Sequence, residues 1–143
     1  MNITKLTEND LPDLASLYKQ FWGEESSVEK MKSTFTKLEQ NPDYIFLVAH
    51  LDDRLAGSVM GIVCHELYGE CKPFMVIEDV IVDKNARRQG VGSTLMRAIE
   101  KQASDHGCAY IIFVTESNRK EAHQFYESLG YNPNGYRGFK KRI

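Results

Sequence analysis

A glycine-bearing turn between an apolar strand and a helix is the part of this sequence best suited to chemistry. The β-branched run of residues 76–82 is followed by Gly90 and Gly92, where a helical pattern begins. The first N–H groups of a helix have no partner within the helix, and the helix dipole adds partial positive charge at that end. Because glycine has no Cβ, the backbone can approach a bound group closely. The turn therefore predicts an anion site, best suited to a phosphate.

Two other phosphate-binding turns do not fit this spacing. A dinucleotide-binding fingerprint needs a third glycine at the position of Leu95, and it belongs to a first βαβ unit rather than after a fourth strand. A P-loop ends in Gly-Lys-Ser or Gly-Lys-Thr, which this turn lacks. Gly90 and Gly92 could also serve only close packing between a strand and a helix. The spacing of these glycines alone leaves both interpretations open.

The elements that would position this turn follow from the hydrophobic pattern. The predicted order is β-α-α-β-β-β-α-β-α-β, a mixed α/β sheet in a single domain of residues 1–143. Gly57 and Gly61 fall within one strand, which indicates a bulge or a close approach of another backbone. Strands are expected at about residues 2–6, 44–50, 55–68, 74–83, 110–115 and 136–142, and helices at about 7–23, 26–38, 90–107 and 117–130.

The composition narrows the class of protein. At 143 residues the chain has the length of one ordinary domain, and its hydrophobic and charged fractions, 42% and 27%, are those of a globular protein. The net charge of −2 supplies no broad basic surface, so we expect no nucleic-acid partner. No apolar run approaches the ~20 residues of a membrane helix, so we expect no membrane partner.

The cysteines and histidines indicate a compartment and argue against a metal. Three cysteines, an odd number without a Cys-x-x-Cys pair, favour reduced thiols in the cytoplasm. We expect no signal peptide, because residues 2–6 already have the pattern of a strand. No histidine or cysteine spacing is typical of metal ligands, so the sequence predicts no metal site.

Two motifs give the chain a specific family resemblance. Residues 87–92, Arg-Arg-Gln-Gly-Val-Gly, match the pattern Arg/Gln-x-x-Gly-x-Gly/Ala, and the run Glu-Asp-Val-Ile-Val at residues 78–82 lies just upstream. The second motif consists of Asn118, Ala122, Phe125, Tyr126, Gly130 and Tyr131. Together they resemble the GNAT superfamily of acetyl-CoA-dependent N-acetyltransferases. The spacing from Asn118 to Ala122 is one residue longer than in many members.

The resemblance implies a fold and a cosubstrate. The fold would be a single α/β domain with a mixed, mostly antiparallel sheet flanked by helices, in which the fourth and fifth strands splay apart. Acetyl-CoA would bind with its pyrophosphate on main-chain N–H groups of the turn and its pantetheine arm along the fourth strand. The residues that the resemblance assigns to this cosubstrate are Val80, Val82, Arg87, Arg88, Gln89, Gly90, Val91, Gly92, Ser93 and Asn118.

The implied reaction is transfer of an acetyl group to a primary amine of a small molecule or peptide, by direct attack in a ternary complex. An alkylamine of pKa about 10 is mostly protonated at neutral pH, so a base must remove a proton before it attacks. The leaving thiolate benefits from an acid, and Tyr126 matches the family's general-acid tyrosine. The alternative is a catalytically silent sensor or interaction module that binds CoA.

Glu78 is the candidate base, acting directly or through water. A carboxylate on a mostly apolar strand is costly to bury unless it is paired, and burial would raise its pKa toward that of a useful base. Asp79 points to the opposite face if the strand is regular, and a bulge would exchange the two. Glu78, Asp79 and a water chain all remain open as the proton acceptor.

The acceptor amine is expected over the first two helices and the loop near Tyr68. Trp22 and Glu25 lie between those helices, and an aromatic ring beside a carboxylate suits a cation. A core tryptophan beside a solvated helix end explains the same residues equally well. Family members are often dimers, so the resemblance also allows a homodimer.

Overall fold

The computed structural model describes residues 1–143, which divide into two compact units, residues 1–112 and residues 113–143. All of the strands lie in the first unit, and the second contains the last helix. The strands are β1 (Asn2–Lys5), β2 (Tyr44–Leu51), β3 (Arg54–Cys64), β4 (Phe74–Val82) and β5 (Ile111–Ile112). The α-helices are α1 (Leu11–Trp22), α2 (Val28–Leu38), α3 (Val91–Asp105) and α4 (Lys120–Ser128).

The strands form one mixed sheet in the order β1-β2-β3-β4-β5. The first three pairs are antiparallel, and β4 and β5 are parallel, so the predicted fold class is confirmed. β5 pairs with β4 only at Met75 and Val76. Residues 77–82 of β4 therefore extend beyond the last pair with β5, which leaves that edge of β4 open.

Two glycines of β3 allow α3 to lie close to the sheet. A Cβ on Gly57 would lie 2.7 Å from the backbone oxygen of Ile81 and 3.0 Å from Leu95 and Val91. A Cβ on Gly61 would lie 2.8 Å from Ile99. These distances are shorter than ordinary carbon contacts, so only glycine fits at either position without a shift of its neighbours. At Gly57 another backbone lies close, as predicted, whereas at Gly61 the close atoms belong to side chains.

The helices α1 and α2 cover the other face of the sheet. Side chains alternate between the faces of a strand, so Ser58, next to Gly57, points away from α3. A core cluster on this face contains Leu6, Leu11, Leu14, Leu17, Phe35, Val48, Leu55 and Ile81. Tyr18, the next residue of α1, packs against the cluster and is only partly buried.

Local signals fix the ends of the first two helices. Thr7 donates its N–H and its hydroxyl to Asp10 Oδ2 at 2.8 and 2.7 Å, which forms a cap one short 3₁₀ turn before α1. Gly23 ends α1 with a φ of 78°. Ser27 caps α2 by accepting the Lys30 N–H at 3.3 Å, so the helix begins two residues after the expected start at about residue 26.

The strand expected at residues 136–142 is not formed, and the strand expected at 110–115 is reduced to Ile111–Ile112. A strand needs a partner for its backbone groups, and residues 136–142 pair with no strand of the sheet. Tyr136 and Phe139 are almost fully exposed, and consecutive like charges follow at residues 140–142. The alternating pattern of this segment therefore predicted a strand that the segment does not form.

Candidate active site

The turn after β4 presents unpaired N–H groups at the start of α3. Gly90 occupies the position before the helix with a φ of 80°, and Arg88 has a φ of 61°. The N–H of Thr94 donates to the Gly90 carbonyl at 3.0 Å, which closes the first turn of α3. The N–H groups of Val91, Gly92 and Ser93 therefore have no acceptor within the helix. They point to the N-terminal end of α3, where the helix dipole favours an anion.

The conformation of this turn is held by its own polar side chains. Asp83 accepts the Asn85 N–H at 2.7 Å, and Gln89 donates to the Asn85 carbonyl at 3.0 Å. The Ser93 and Thr94 hydroxyls both donate to the Gly90 carbonyl, at 3.0 and 2.9 Å. These contacts order the backbone of the turn and leave its main-chain N–H groups available to a ligand.

The charged residues of the same turn are exposed. Arg87 and Arg88 both lie at the surface, as does Gln89. Neither arginine is within ion-pair distance of an acidic side chain. Both guanidinium groups can therefore meet an anionic ligand without first breaking an internal ion pair.

The open edge of β4 leads toward this turn. The Asp83 N–H donates to the Ala56 carbonyl at 2.8 Å, so Asp83 directs its N–H toward β3. Successive residues of a strand direct their main-chain groups to opposite edges, so Val82 and Val80 direct theirs away from β3. That is the edge where pairing with β5 has ended. Both valines can therefore offer main-chain groups to an extended ligand beside β4.

A bulge interrupts β4 directly after Glu78 and includes Asp79. Ser58 pairs with Ile81, but Met60 pairs with Glu78, so β4 has one more residue than β3 in this interval. Asp79 lies in the bulge with a φ of 54°. Side chains other than glycine, asparagine and aspartate rarely adopt this conformation. The bulge turns the side chain of Asp79 out of the regular alternation along the strand.

The two carboxylates of the bulge have different surroundings. Glu78 is exposed, so the burial expected for the candidate base is absent at that residue. Asp79 is half-buried, and its pKa is raised first by that burial and then by the negative charge of Glu78. Of the pair, Asp79 therefore has the environment that was expected of a base.

Tyr18 and Ser58 lie on the same side of the sheet as Asp79. Burial and then the charge of Asp79 raise the pKa of the Tyr18 phenol, so Tyr18 stays neutral at physiological pH. The nearby Ser58 hydroxyl opposes this rise in the pKa of Tyr18. The two hydroxyls lack the geometry of a hydrogen bond, and Ser58 Oγ has no other partner although Ser58 is only 5% exposed.

The residues expected to meet the acceptor amine are exposed to different degrees. Trp22 is half-exposed, and its ring centroid lies 5.2 Å from that of Tyr18. Glu25 forms an ion pair with Lys19, so its charge is partly neutralised within the protein. Tyr68 is 85% exposed in the loop before β4. The Gln20 side chain accepts the Lys84 N–H at 2.9 Å, which joins α1 to the end of β4.

The second unit contains Tyr126 and Asn118. Tyr126 is buried, and its ring centroid lies 4.5 Å from that of Phe113 and 5.2 Å from that of Phe125. Burial raises the pKa of the Tyr126 phenol, and the positive charge of Arg119 opposes this rise. The phenol therefore keeps its proton at neutral pH, as a proton donor must. Asn118 is exposed just before α4, and its carbonyl accepts the Lys120 N–H.

Two kinds of site are not found. No cluster of three or more His, Cys, Asp or Glu residues is placed to hold a metal ion. None of the helices combines the length and the apolar composition needed to cross a membrane.

A comparison with known protein families identifies the family of this chain. A sequence model of the Acetyltransferase (GNAT) family matches residues 11–131. The match includes α1, the turn after β4 and the Tyr126 helix. The chain belongs to the GNAT family. The resemblance inferred from the two motifs is therefore confirmed.

The relatives of this GNAT chain match it over most of its length. An aminoglycoside N(6')-acetyltransferase type 1 from Acinetobacter genomosp. 13 is 23% identical over 92% of this chain and 91% of its own. The structure of a putative acetyltransferase from Agrobacterium tumefaciens is 23% identical and superimposes with a TM-score of 0.92. That match covers 100% of both chains. An aminoglycoside acetyltransferase from an uncultured soil metagenomic sample, in complex with sisomicin, is 25% identical with a TM-score of 0.81, and the match covers 99% of this chain and 95% of that one.

Tyr18 and Ser58 were not predicted as site residues from the sequence. Neither residue lies in the two motifs of the sequence. A polar residue between Gly57 and Val59 on an otherwise apolar strand is the signal in the sequence that could have found Ser58. Nothing local marks Tyr18, because the charge that acts on its phenol belongs to Asp79, 61 positions away in the chain.

Proposed function

We propose that this GNAT-family chain, as a single acetyltransferase domain of residues 1–143, transfers the acetyl group of acetyl-CoA to a primary amine. The acceptor is a small molecule or peptide, and the amine attacks directly in a ternary complex. The observation that carries the proposal is the continuity of two backbone surfaces. The open edge of β4 at Val80 and Val82 leads to the unpaired N–H groups at the start of α3.

The residues of the turn fit acetyl-CoA by charge and by shape. The N–H groups of residues 88–93 would hold the pyrophosphate, and Gly90 supplies the left-handed backbone that makes them converge. Arg87 and Arg88 are free to add charge beside the phosphates. Val80 and Val82 would donate to and accept from the amide groups of the pantetheine arm, and Asn118 is assigned to the same ligand by the family motif. When bound, acetyl-CoA supplies the thioester whose acetyl group is transferred.

The β4 carboxylates would prepare the amine for attack. A protonated amine cannot act as a nucleophile, so one carboxylate must accept its proton. Glu78 is reachable from solvent, and the pKa of Asp79 is raised above the ordinary aspartate value, which makes its carboxylate a stronger proton acceptor than an unburied one. Either residue can act directly or through a water molecule.

Tyr126 would supply the proton that the leaving thiolate needs. Its raised pKa keeps the phenol protonated until the thiolate forms. A positioned general acid contributes about 10²–10⁴ to the rate. Arg119 stabilises the phenolate that remains, because its charge lowers the pKa of Tyr126.

The acceptor proposed here is a cationic amine. Two relatives of this chain are aminoglycoside acetyltransferases, which favours an acceptor with several amino groups. The half-exposed Trp22 ring can attract a cation, and Glu25 and Tyr68 lie in exposed segments that can contact the rest of the acceptor. The pair between Glu25 and Lys19 must open for Glu25 to take part. We also propose a cytoplasmic location, which the free cysteines favour.

The test is an acetylation assay with acetyl-CoA and a panel of amines. The panel contains aminoglycosides, linear polyamines, amino acids and short peptides, and free thiol and product mass are measured together. Turnover with at least one primary amine is expected, with a strong loss in Tyr126→Phe. If acetyl-CoA raises the melting temperature but no amine yields free thiol, the protein is a CoA-binding sensor and the enzymatic proposal is wrong.

A further inference from the structure

Helices α1 and α2 leave one end of their face of the sheet uncovered. The register places one residue from each of β2, β3, β4 and β5 side by side in a row, namely Tyr44, Ile62, Val76 and Ile112. Successive side chains of a strand point to opposite faces, and the neighbouring Gly61 lies against α3. The row therefore lies on the face opposite α3, and each of its four residues is at least partly exposed.

An aromatic pair extends this row toward the start of β4. Phe74 and Tyr110 precede Val76 and Ile112 by two residues, so they lie on the same face. Their ring centroids are 5.1 Å apart, and their planes differ by 11°. The row and the pair together form what we call the open apolar surface, which consists of Tyr44, Ile62, Phe74, Val76, Tyr110 and Ile112.

The opposite face of the same strands is fully packed. Ile45, Met75 and Ile77 alternate with residues of the open apolar surface and are only 7%, 0% and 2% exposed. On the open apolar surface, by contrast, Tyr110 is 47% exposed and Ile112 is 49% exposed. Ligand sites are lined mainly by apolar and aromatic side chains with a few placed polar groups. We therefore looked for a polar group at the border of this surface.

The open apolar surface ends where β4 and β5 separate, and a carboxylate lies at that border. Val76 and Ile112 form the last pair of the two strands. The next residue of β4 on the same face is Glu78, which pairs with Met60 and lies about 7 Å along the strand from Val76. Glu78 is exposed and forms no ion pair. A ligand that joins a cation to an apolar group therefore complements this border in both charge and polarity.

The size of the open apolar surface fits a small group rather than a second protein. Its row spans four strands, which is about 14 Å, and the aromatic pair extends it by about 7 Å along the strands. A stable protein interface needs about 800 Å² from each partner, which is several times the area that these dimensions enclose. One aliphatic chain or one aromatic ring covers a large part of such a surface.

We propose that the open apolar surface binds an aliphatic or aromatic group of the acceptor, so that the acceptor is an amphipathic amine. The proposal rests on the function proposed above, because it specifies the acceptor of that reaction. It predicts that an amine with an apolar body is a better acceptor than a multiply charged amine with polar rings. The gain comes from apolar area that the bound acceptor removes from water.

The first test measures acetylation of linear alkylamines from propylamine to hexylamine. Each added methylene should raise kcat/KM by about two- to fourfold, the upper value being that for complete burial. The matched amine 2-(2-aminoethoxy)ethanol has as many chain atoms as hexylamine but contains two oxygens, and its kcat/KM should be lower by about tenfold. Equal values of kcat/KM for these two amines, or a higher value for an aminoglycoside than for hexylamine, would overturn the proposal.

Variants test whether this preference comes from the open apolar surface. Val76→Thr keeps the branched shape and adds a hydroxyl, and Ile112→Thr makes a similar change on β5. Either variant should lower the ratio of kcat/KM between hexylamine and propylamine by about two- to fourfold. Ile3→Thr is the matched control, because Ile3 is partly exposed on β1 and lies in the row of Gly57, which faces α3. That control should keep the wild-type ratio, and an unchanged ratio in both test variants would contradict the proposal.

Methyl NMR locates the bound amine without turnover. The whole protein, labelled with carbon-13 in its isoleucine and valine methyl groups, is mixed with CoA, which has no acetyl group to transfer, and is titrated with hexylamine. We expect saturable shifts at Ile62, Val76 and Ile112 and no shift at Ile3. Saturable binding without shifts at the first three residues, or no binding of hexylamine at all, would show that the open apolar surface is not the site.

The outcomes separate this proposal from the proposed function. If wild type acetylates no amine, the proposed function fails by itself, and the methyl titration alone decides whether the open apolar surface binds an amphipathic amine. Sedimentation velocity tests a second copy of the chain as the occupant. Wild type and Ile112→Thr should have the same mass at all concentrations. A wild-type dimer that Ile112→Thr converts to a monomer would make this surface an interface, and the proposal would be wrong.

Discussion

Replacement of Gly90 by alanine separates the ligand-binding role of the turn from its structural role. Gly90 has a φ of 80°, and the nearest atom to an added Cβ lies 3.9 Å away. The substitution is therefore strained in its backbone but causes no clash. A left-handed conformation costs an L-residue roughly 1–2 kcal/mol. We expect Gly90→Ala to lower the melting temperature by at most about 2–8 °C in a chain of this length, and by less as the ligand-free turn relaxes and transfers that cost to ligand binding.

The other end of α3 supplies a matched control. Gly107 has a φ of 72°, and an added Cβ would meet no atom within 4 Å. Gly107→Ala should therefore cost the same roughly 1–2 kcal/mol of stability. It lies beyond the last turn of α3, far along the helix from the N–H groups of residues 91–93. The two variants thus match in strain and differ in which end of the helix is disturbed.

Only Gly90→Ala should weaken binding of acetyl-CoA. Without ligand, the substituted residue can relax out of the left-handed region, and binding must then restore the strain of roughly 1–2 kcal/mol. That energy corresponds to a dissociation constant about 5–30-fold higher, which isothermal titration calorimetry can measure. Gly90→Asn should recover part of the affinity, because asparagine tolerates this conformation. Equal affinity in Gly90→Ala and Gly107→Ala would refute the assignment of the turn.

Three further outcomes are expected. Gly57→Ala would place a methyl group 2.7 Å from a backbone oxygen of β4. This overpacking should lower the unfolding free energy, measured by urea titration, by about 1–3 kcal/mol. Unchanged stability would contradict the close packing at Gly57. Tyr126→Phe should reduce kcat by a factor of about 10²–10⁴. Its affinity for acetyl-CoA, measured by calorimetry, should stay near that of wild type. A normal kcat would show that Tyr126 is not the general acid. Burial raises the pKa of Asp10, but hydrogen bonds from Thr7 and the contact with His50 outweigh burial and lower it. The stability that Asp10 contributes is therefore present above the ordinary aspartate pKa of about 3.9 and is lost as the pH falls through its lower folded value. Urea midpoints of wild type and Asp10→Asn should accordingly converge in acid, and a constant difference would contradict this.

Local signals were sufficient where the structure depends on neighbouring residues. The turn after β4 was predicted because its glycines, the preceding apolar strand and the following helical pattern all lie within residues 76–99. Helix α1 lies within the predicted range of about 7–23 for the same reason. The family resemblance then supplied the mixed, mostly antiparallel pairing of the strands, which periodicity alone does not determine.

Features that depend on distant residues were not predictable from the sequence. The bulge at Asp79 follows from the register between β3 and β4, and a one-residue change of register alters which carboxylate is buried. The burial expected of Glu78 is therefore found at Asp79 instead. The strand expected at residues 136–142 was wrong because its pattern contains no information about whether a sheet edge is available.

The central claim is that the main-chain groups of β4 and of the following turn bind acetyl-CoA. An amide NMR titration of the nitrogen-15-labelled protein with acetyl-CoA tests it most directly, because every N–H group reports separately. We expect the largest shifts at the amides of residues 88–93, with further shifts at Val80 and Val82. Saturable binding that leaves these amides unchanged, or no binding at millimolar acetyl-CoA, would contradict the claim.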